Sequence, residues 1–529
     1  MATNKLYEDR YDVIVIGGAV AGLSAAMQLQ KDGFKCLVLE RHNLPGGVVT
    51  SFVRSGVEME GTLHEMMSIG PKENPLFIRE YLEGMGIDLD WLRVPEAYRI
   101  YVPEDGIDVT LHAGKDEQGN WIAASEIEAA FPGNFDKVNR LLTLCSEVYQ
   151  TTLYMNDHNP SKLELLKNHE GMAKTAGYST KEVLDALEIP EKVQAALSAY
   201  WIYVGNPIST LPFTIYCFLM GDYFTGGSYV LRGFSHELSV AMAEKCRELG
   251  VQLEFGQNVE KILVKDKKVY GVRTSRGDEI HARYVISAPY QDTVYKKMIE
   301  PLSEVPEAAI KLVNGRKISV TVFSVVLQLD AKPEDLNIHD YSVFSSDIHY
   351  DTDVFWEQNR SLNLGGKGSP AGWDFLTTIC LNYANPKGVP EGQTSLSITA
   401  LPLPEAFFNI NPEEYHALKR KLAKGMIERV SKHLGVNLFD HIIDIEIEAP
   451  SSAARYTGQY LGCVYGYQHH MDDSIVARLP NYPAEHYIHG LTWAAAHALT
   501  GDGVAININN GRIAAKVVEA WESEAKEGK

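Results

Sequence analysis

The stretch DVIVIGGAVAGLSAAMQL, residues 12–29, decides the fold of this chain. Its residues up to 16 are β-branched and apolar, as in a buried parallel strand, and residues 23–29 change to helical spacing. Between them, Gly17 permits a tight bend and Gly22 lets the helix pack closely on the strand. The stretch therefore predicts a βα unit whose helix N-terminus faces the pyrophosphate of a dinucleotide.

The next strand predicts the second half of such a site. Ala19 stands where the fingerprint G-x-G-x-x-G has its middle glycine, so a packed glycine-rich turn without a ligand is the alternative. The following strand, KCLVL at 35–39, ends in Glu40, at the position where a carboxylate accepts hydrogen bonds from both ribose hydroxyls. We therefore predict a dinucleotide site despite Ala19.

The segments that follow resemble those of a known family. LERHNLPGGVVTSF (39–52) is similar to the segment after the nucleotide turn in FAD-dependent amine oxidases and phytoene desaturases; Gly46 and Gly47 match its glycines, while Val48 replaces an arginine found in many members. RSGVEMEGTLHEM (54–66) resembles a hairpin beside the flavin in phytoene desaturases and retinol saturases. Blocks at 229–288, 452–468 and 487–521 extend the resemblance to the phytoene desaturase, carotenoid isomerase and retinol saturase type of FAD-dependent oxidoreductase.

This resemblance implies an α/β fold with two domains. The first is a Rossmann-type FAD-binding domain like that of glutathione reductase and the amine oxidases, and the second is an inserted α+β substrate domain. We expect the FAD-binding domain at residues 1–75, 225–315 and 435–529, and the substrate-binding domain at 76–224 and 316–434. The intervening residues agree, because 75–225 have mostly helical spacing and 315–435 contain strand-like runs followed by an amphipathic helix.

The resemblance also implies FAD as the cofactor. The backbone at Val259 would meet the adenine, and Gly501-Asp502-Gly503 would open a helix whose N–H groups face the flavin pyrimidine. Ala494-Ala495-Ala496 replaces the family's Ala-Gly followed by an acidic or polar residue, so a ribityl contact is not carried over. The predicted cofactor-binding residues are Gly17, Ala19, Ala21, Gly22, Glu40, Arg41, Gly46, Gly47, Val48, Gly61, Thr62, Val259, Ala288, Gly501, Asp502, Gly503 and Val504.

Two histidines are the candidate catalytic residues. The resemblance brings His64 and His497 towards the flavin, where either would donate a proton to a substrate carbon; a histidine hydrogen-bonded in a loop is the alternative. His469 and His470 suggest a metal, but adjacent histidines point apart, so a polar loop is the preferred interpretation.

Nine aromatic residues predict either a core or a tunnel for a long unsaturated lipid. Tyrosine dominates the set and needs hydrogen-bond partners when buried, which favours a substrate with a polar end. The set is Tyr200, Trp201, Tyr203, Phe213, Tyr216, Phe218, Tyr223, Phe224 and Tyr229.

The resemblance, together with these features, implies an FAD-dependent oxidoreductase acting on a carbon–carbon bond of a hydrophobic unsaturated substrate: a polyene, retinoid or lipid with a polar end. Desaturation would pass electrons to oxygen or a quinone, saturation would need a reductant such as NAD(P)H, and cis-trans isomerisation would need a reduced flavin. The enzyme alternative is a flavin amine oxidase with an aromatic cage. The non-enzyme alternative is a binder of prenylated proteins without flavin, like the Rab GDP-dissociation inhibitors.

Composition limits the partners and the location. Lys and Arg number 49 against 69 Asp and Glu, a formal charge of −20, which argues against nucleic acid as the main partner. The six cysteines form no C-x-x-C pair and suit a reducing cytoplasm. The polar start of the chain predicts no signal peptide, and no apolar run predicts a transmembrane helix. Peripheral membrane contact through residues 208–220, and the oligomeric state, stay open.

Overall fold

An eight-stranded sheet carries the glycine turn. The computed structural model describes residues 7–8, 10–61, 63–158, 160–366, 369–479 and 481–528. The central strand, Tyr11–Ile16, runs parallel to Cys36–Leu39 on one side and to Glu279–Ser287 on the other. This arrangement confirms the predicted Rossmann-type architecture. In spatial order the strands are Ile299–Glu300, Val259–Lys265, Lys268–Thr274, Glu279–Ser287, Tyr11–Ile16, Cys36–Leu39 and Gln252–Glu254, and Leu491–Trp493 also pairs with Glu279–Ser287.

Three helices share a buried core with the central strand: Val20–Lys31, Phe234–Glu248 and Val504–Glu527. The first and last of these touch through their backbones. Ser24 Oγ donates a hydrogen bond to the carbonyl of Ile508 at 2.8 Å, and a Cβ at Gly511 would overlap the carbonyl oxygen of Ala21. The C-terminal helix therefore lies directly on the helix that begins at the glycine turn.

A second, seven-stranded sheet lies across the cavity described below. All its pairings are antiparallel except that between Ser342–Ser346 and Tyr98–Val102. Helix Tyr415–Leu434 covers one face, where Phe323, Val325 and Leu327 share its core. The alternate residue Ser324 lines the cavity, as the two-residue period of a strand requires. The order is Ile442–Glu448, Phe323–Leu329, Thr394–Ala400, Phe375–Cys380, Ser342–Ser346, Tyr98–Val102 and Ile107–Leu111.

Most of the remaining elements are helices that lie, along the chain, between strands of the two sheets. They are Phe77–Gly84, Ile122–Ala130, Phe135–Asp157, Lys162–Asn168, Glu170–Thr175, Thr180–Ala186, Glu191–Leu197, Phe213–Gly226, Gln291–Thr293, Glu307–Gly315, Thr352–Gln358, Pro450–Thr457 and Ile475–Arg478. Two small sheets pair Ser51–Arg54 with Val57–Glu60 and Trp91–Arg93 with Tyr229–Leu231. The predicted domain boundaries stay a prediction; Ile442–Glu448 of the second sheet lies beyond residue 434.

The segment considered for membrane contact faces the protein interior. Ile208, Leu211 and Phe213 are buried, and helix Phe213–Gly226 packs most of its residues inside the protein. This burial removes the surface that the peripheral-contact hypothesis needs at residues 208–220. Among the described helices, none combines the length and the apolar character required to cross a bilayer.

Candidate functional site

A single cavity of about 650 Å³ connects the glycine turn with the second sheet. Its wall includes Gly17 and Glu40 at one end and Ser324, Thr377 and Thr399 of the second sheet at the other. A cavity of this size is typical of a ligand site.

The glycine turn is built for close backbone approach. Gly17 has a φ of +107°, which L side chains rarely adopt, and a Cβ there would lie 2.9 Å from the Cβ of Ala288. At Gly22 a Cβ would overlap the carbonyl oxygen of Gly17, so the helix can begin this near the strand only with glycine. Ala19, in place of the fingerprint glycine, is accommodated in extended backbone with a φ of −80°.

Glu40 ties the turn to the end of the neighbouring strand. Its carboxylate accepts a hydrogen bond from the Gly18 N–H at 2.6 Å and another from the His42 N–H at 2.7 Å. The side chain is buried and lines the cavity. Each carboxylate oxygen has a second lone pair, so the group can still accept hydrogen bonds from ribose hydroxyls.

Two helices point uncapped N-termini at the cavity. Helix Val20–Lys31 begins after Ala19 and helix Val504–Glu527 after Gly503, and in the described part of the chain no side chain caps the N–H groups of either helix. Such ends carry free donors and a partial positive charge, which suit a phosphate and a ring that becomes anionic. Together with the bare turn and Glu40, these two ends fit FAD.

Asp502 and His469 form a buried pair at the second helix. Asp502 Oδ1 lies 3.5 Å from Nε2 of His469, and both residues line the cavity. Asp502 Oδ2 and His469 Nδ1 have no hydrogen-bond partner among the described residues, and burial raises the pKa of Asp502. Orphaned polar atoms on a cavity wall indicate a polar ligand there. His469 is thus part of this wall rather than of a simple polar loop.

Ala495 lies in an unusual conformation beside this pair. Its φ is +119°, at the position where the resembling family has glycine. Asn510, which sequence reasoning did not single out, holds the segment by donating hydrogen bonds to the carbonyls of Ala495 and Gly501 at 3.1 and 3.0 Å.

The structure gathers most predicted cofactor residues on one wall. Gly22 and Gly501 are buried but do not line the cavity, and Thr62 lies outside the described residues. The residues on the wall are Gly17, Ala19, Ala21, Glu40, Arg41, Gly46, Gly47, Val48, Gly61, Val259, Ala288, Asp502, Gly503 and Val504.

The two candidate catalytic histidines are placed differently. His64 lines the cavity, whereas His497 is not on its wall: its Nε2 lies 3.0 Å from the carbonyl oxygen of Ala288. Burial lowers the pKa of each imidazole to about 4, so both are neutral at neutral pH. A neutral ring is a poor proton donor, so this electrostatic environment does not favour the predicted donor role.

Many apolar side chains line the cavity, in addition to the hydroxyl-bearing Ser324, Thr377 and Thr399. Its wall includes Leu63, Met66, Met67, Ile215, Phe218, Leu219, Val322, Leu401 and Val464. Of the nine aromatic residues considered for a tunnel, Tyr203, Phe218 and Tyr223 line the cavity; the other six are buried away from the wall. Tyr465 adds a further aromatic ring to the wall.

Glu65 is a buried acid on the cavity wall. One carboxyl oxygen accepts a hydrogen bond from Ser228 Oγ at 2.6 Å, and burial raises the pKa of the group to about 7. Sequence reasoning missed it, because only folding brings the tyrosines of distant segments around it.

Relatives with assigned names match most of the chain at low identity. Prolycopene isomerase 1 of an Oncidium hybrid cultivar is 25% identical over 87% of this chain and 75% of its own length. All-trans-retinol 13,14-reductase of Danio rerio is 22% identical over 87% and 78%. The 1-hydroxycarotenoid 3,4-desaturase of Flavobacterium sp. (strain P99-3) is 23% identical over 96% and 98%.

Solved structures share the fold. Putrescine oxidase superposes with a TM-score of 0.62 at 14% identity, covering 97% of this chain and 99% of that chain. The Rab GDI of Plasmodium falciparum does so with a TM-score of 0.52 at 12% identity, covering 96% and 98%. At these identities the likeness is of fold alone. The family model described as flavin containing amine oxidoreductase matches residues 20–388. The chain therefore belongs to the flavin containing amine oxidoreductase family and is an FAD-dependent oxidoreductase.

Proposed function

We propose that the protein acts on a carbon–carbon bond of a hydrophobic unsaturated substrate, a polyene, retinoid or lipid with a polar end. One observation carries this proposal. The cavity that begins at the glycine turn and Glu40 continues along a wall with many apolar side chains, among them Met66, Phe218 and Leu401. A polyene chain would displace water from these apolar side chains, and the burial of apolar surface would favour its binding.

The named relatives support the substrate class and leave three reactions open. Their names describe an isomerase, a reductase and a desaturase of carotenoids or retinol. Desaturation, saturation and cis-trans isomerisation of a polyene therefore all stay within the proposal. Of these, saturation would draw its electrons from a donor such as NAD(P)H.

The chain's own residues bind and orient the reactants. When bound, FAD supplies the hydride acceptor or donor that the side chains lack. Glu40 and the two uncapped helix ends would hold the cofactor, and Met66, Phe218 and Leu401 of the cavity wall would exclude water. Burial lowers the pKa of His64, so it faces the cavity as a neutral imidazole, which can donate one hydrogen bond and accept another but is a weak base at neutral pH.

Amine oxidation is the second candidate function. It is favoured by one observation: Glu65 lies on the cavity wall with Tyr203, Tyr223 and Tyr465, and a carboxylate among aromatic rings can bind an ammonium group. The names of the relatives favour the polyene reaction instead. We also propose a cytoplasmic location, with which the six buried, unpaired cysteines agree.

An anaerobic absorption titration separates these functions. We expect the purified protein to show an oxidised-flavin spectrum. If NADH or NADPH bleaches that spectrum, a saturase or a reduced-flavin isomerase is supported; if only a polyene bleaches it, a desaturase is supported. Bleaching by aliphatic amines alone would contradict the proposal and support the amine oxidase.

A further inference from the structure

We propose that Glu65 and Tyr203 bind a hydroxyl group at the polar end of the substrate. This inference rests on the proposed function and makes its substrate class more specific. It assigns to Glu65 a role in selecting the substrate, distinct from the chemistry at the flavin.

Glu65 has an unused hydrogen-bonding atom in the cavity wall. The residue is 7% exposed, and while its Oε2 is held by Ser228, its Oε1 has no hydrogen-bond partner among the described residues. An unsatisfied buried polar atom lowers stability, so native structures seldom leave one without a reason. A ligand that reaches Oε1 would recover this stability.

Tyr203 has a second unused atom beside it. Its hydroxyl group lies close enough to Glu65 to favour the charged carboxylate, yet the two groups do not meet in hydrogen-bond geometry, and the hydroxyl has no other partner among the described residues. Both residues line the same cavity. Two orphaned polar atoms thus lie together on the cavity wall.

A hydroxyl group matches this pair better than a cation does. It donates one hydrogen bond and accepts others, so it can donate to a carboxyl oxygen and accept from a phenol. No ion pair in the described part of the chain involves Glu65, and Tyr200, Tyr223 and Tyr341 are its electrostatic neighbours. Burial raises the pKa of Glu65 to about 7, so about half of these groups are neutral near pH 7, and a neutral carboxyl binds an alcohol but attracts an ammonium group only weakly.

The test compares two ligands that differ only in the hydroxyl group. Retinol and its deoxy hydrocarbon are titrated separately into the flavin-loaded protein, in the dark and without oxygen, and binding is followed by quenching of tryptophan fluorescence. We expect retinol to bind about tenfold more tightly, as the recovery of one or two buried hydrogen bonds implies. Glu65→Leu should abolish this preference, and Glu65→Gln, which can still hydrogen-bond, should keep most of it.

Two tyrosine variants test the same inference without changing Glu65. Tyr203→Phe removes the orphaned hydroxyl with little change in volume and should reduce the preference for retinol. Tyr149→Phe is the matched control, because its hydroxyl is also buried without a partner among the described residues but lies off the cavity wall. It should leave the preference intact.

The outcomes separate the inference from the proposed function. If the wild type binds neither ligand, the proposed substrate class is wrong and the inference falls with it. If both ligands bind equally, or if the preference survives in Glu65→Leu, the inference is overturned while the proposed function stands. If Glu65→Gln loses the preference as fully as Glu65→Leu, selection of the hydroxyl group needs an ionised carboxylate, and the assignment of a neutral carboxyl group to Glu65 is wrong.

Discussion

Glu40 is the residue on which the proposed cofactor binding depends most directly. Its two carboxylate oxygens accept from the N–H groups of Gly18 and His42. In Glu40→Gln one oxygen becomes an NH₂ group that faces an N–H donor. Because a hydrogen bond to a charged group contributes about 1.5–3 kcal/mol, we expect FAD to bind at least about tenfold more weakly. The measurement is the flavin fluorescence released during dialysis.

The control for this variant is Glu254→Gln. Glu254 pairs in register with Leu39 on the next strand and is not on the cavity wall. It should retain flavin as the wild type does. Full flavin occupancy in Glu40→Gln would contradict the assignment of Glu40 to the cofactor.

Ala495 is predicted to be a point of strain. A non-glycine residue at a φ of +119° lowers the stability of the fold by about 1–3 kcal/mol. Glycine would remove this strain, but its greater freedom in the unfolded chain would offset part of the gain. We therefore expect Ala495→Gly to raise the free energy of unfolding by about 1 kcal/mol, measured by urea denaturation. Ala494→Gly, at a position without positive φ, should lower it by about 0.5–1 kcal/mol. A destabilised Ala495→Gly would remove the strain argument.

Single residues show what sequence can and cannot predict. Glu40 was predictable, because its role depends on a local strand end and a turn with known spacing. The roles of Glu65 and His469 were not, since the residues that surround them come from distant parts of the chain. The low pKa of His64 likewise arises from burial, which no local pattern reports.

At the scale of elements, the contact between the first and last helices is set by one glycine. A Cβ at Gly511 would overlap the Ala21 carbonyl oxygen, so Gly511→Ala must push the helices apart. We expect a loss of about 2–3 kcal/mol in the free energy of unfolding and weaker flavin binding, because helix Val20–Lys31 also forms the glycine turn. Thermal unfolding and flavin content measure the two effects.

The matched control is Gly84→Ala in helix Phe77–Gly84. A Cβ there would meet no atom within 4 Å, and the backbone is not left-handed. This variant should be neutral or more stable by up to about 1 kcal/mol. Equal effects of the two substitutions would show that loss of glycine, rather than helix contact, decides stability.

Elements whose apolar residues recur with a clear helical or strand period were predicted better than the strands that pair with distant parts of the chain. The strand–turn–helix unit and the amphipathic helix that became Tyr415–Leu434 follow from local spacing. The strands Tyr98–Val102 and Ile107–Leu111 lie in a region with mostly helical spacing, and they complete a sheet whose other strands begin beyond residue 320. The spacing of residues within one segment cannot predict such pairing, because the strands that pair are far apart in sequence.

For the whole molecule, buried carboxyl groups set the dependence of stability on pH. Burial raises the pKa of Glu60 to about 8 and of Glu65 and Glu448 to about 7, from 4.5. The folded state therefore binds protons more tightly than the unfolded state, and stability falls as pH rises through this range. The net charge of −20 acts in the same direction through self-repulsion.

We therefore expect the melting temperature to fall between about pH 6.5 and pH 8.5 at constant ionic strength. The window begins at about pH 6.5 because the lowered pKa values of His64 and His497 destabilise the fold as pH falls below that point. Glu60→Gln should show a smaller fall than the wild type. A melting temperature that rises across the window, or the same slope in Glu60→Gln, would contradict this account.

The central claim is that one cavity joins FAD to a polyene. The most direct test measures the mass of the product that the flavin-loaded protein forms from a polyene alcohol, with and without NADPH. A parallel incubation contains an aliphatic diamine in place of the polyene. The account predicts a polyene that has lost two hydrogens, gained two, or kept its mass with a changed retention time, and an unchanged diamine. An oxidised diamine with peroxide and an unchanged polyene would contradict it.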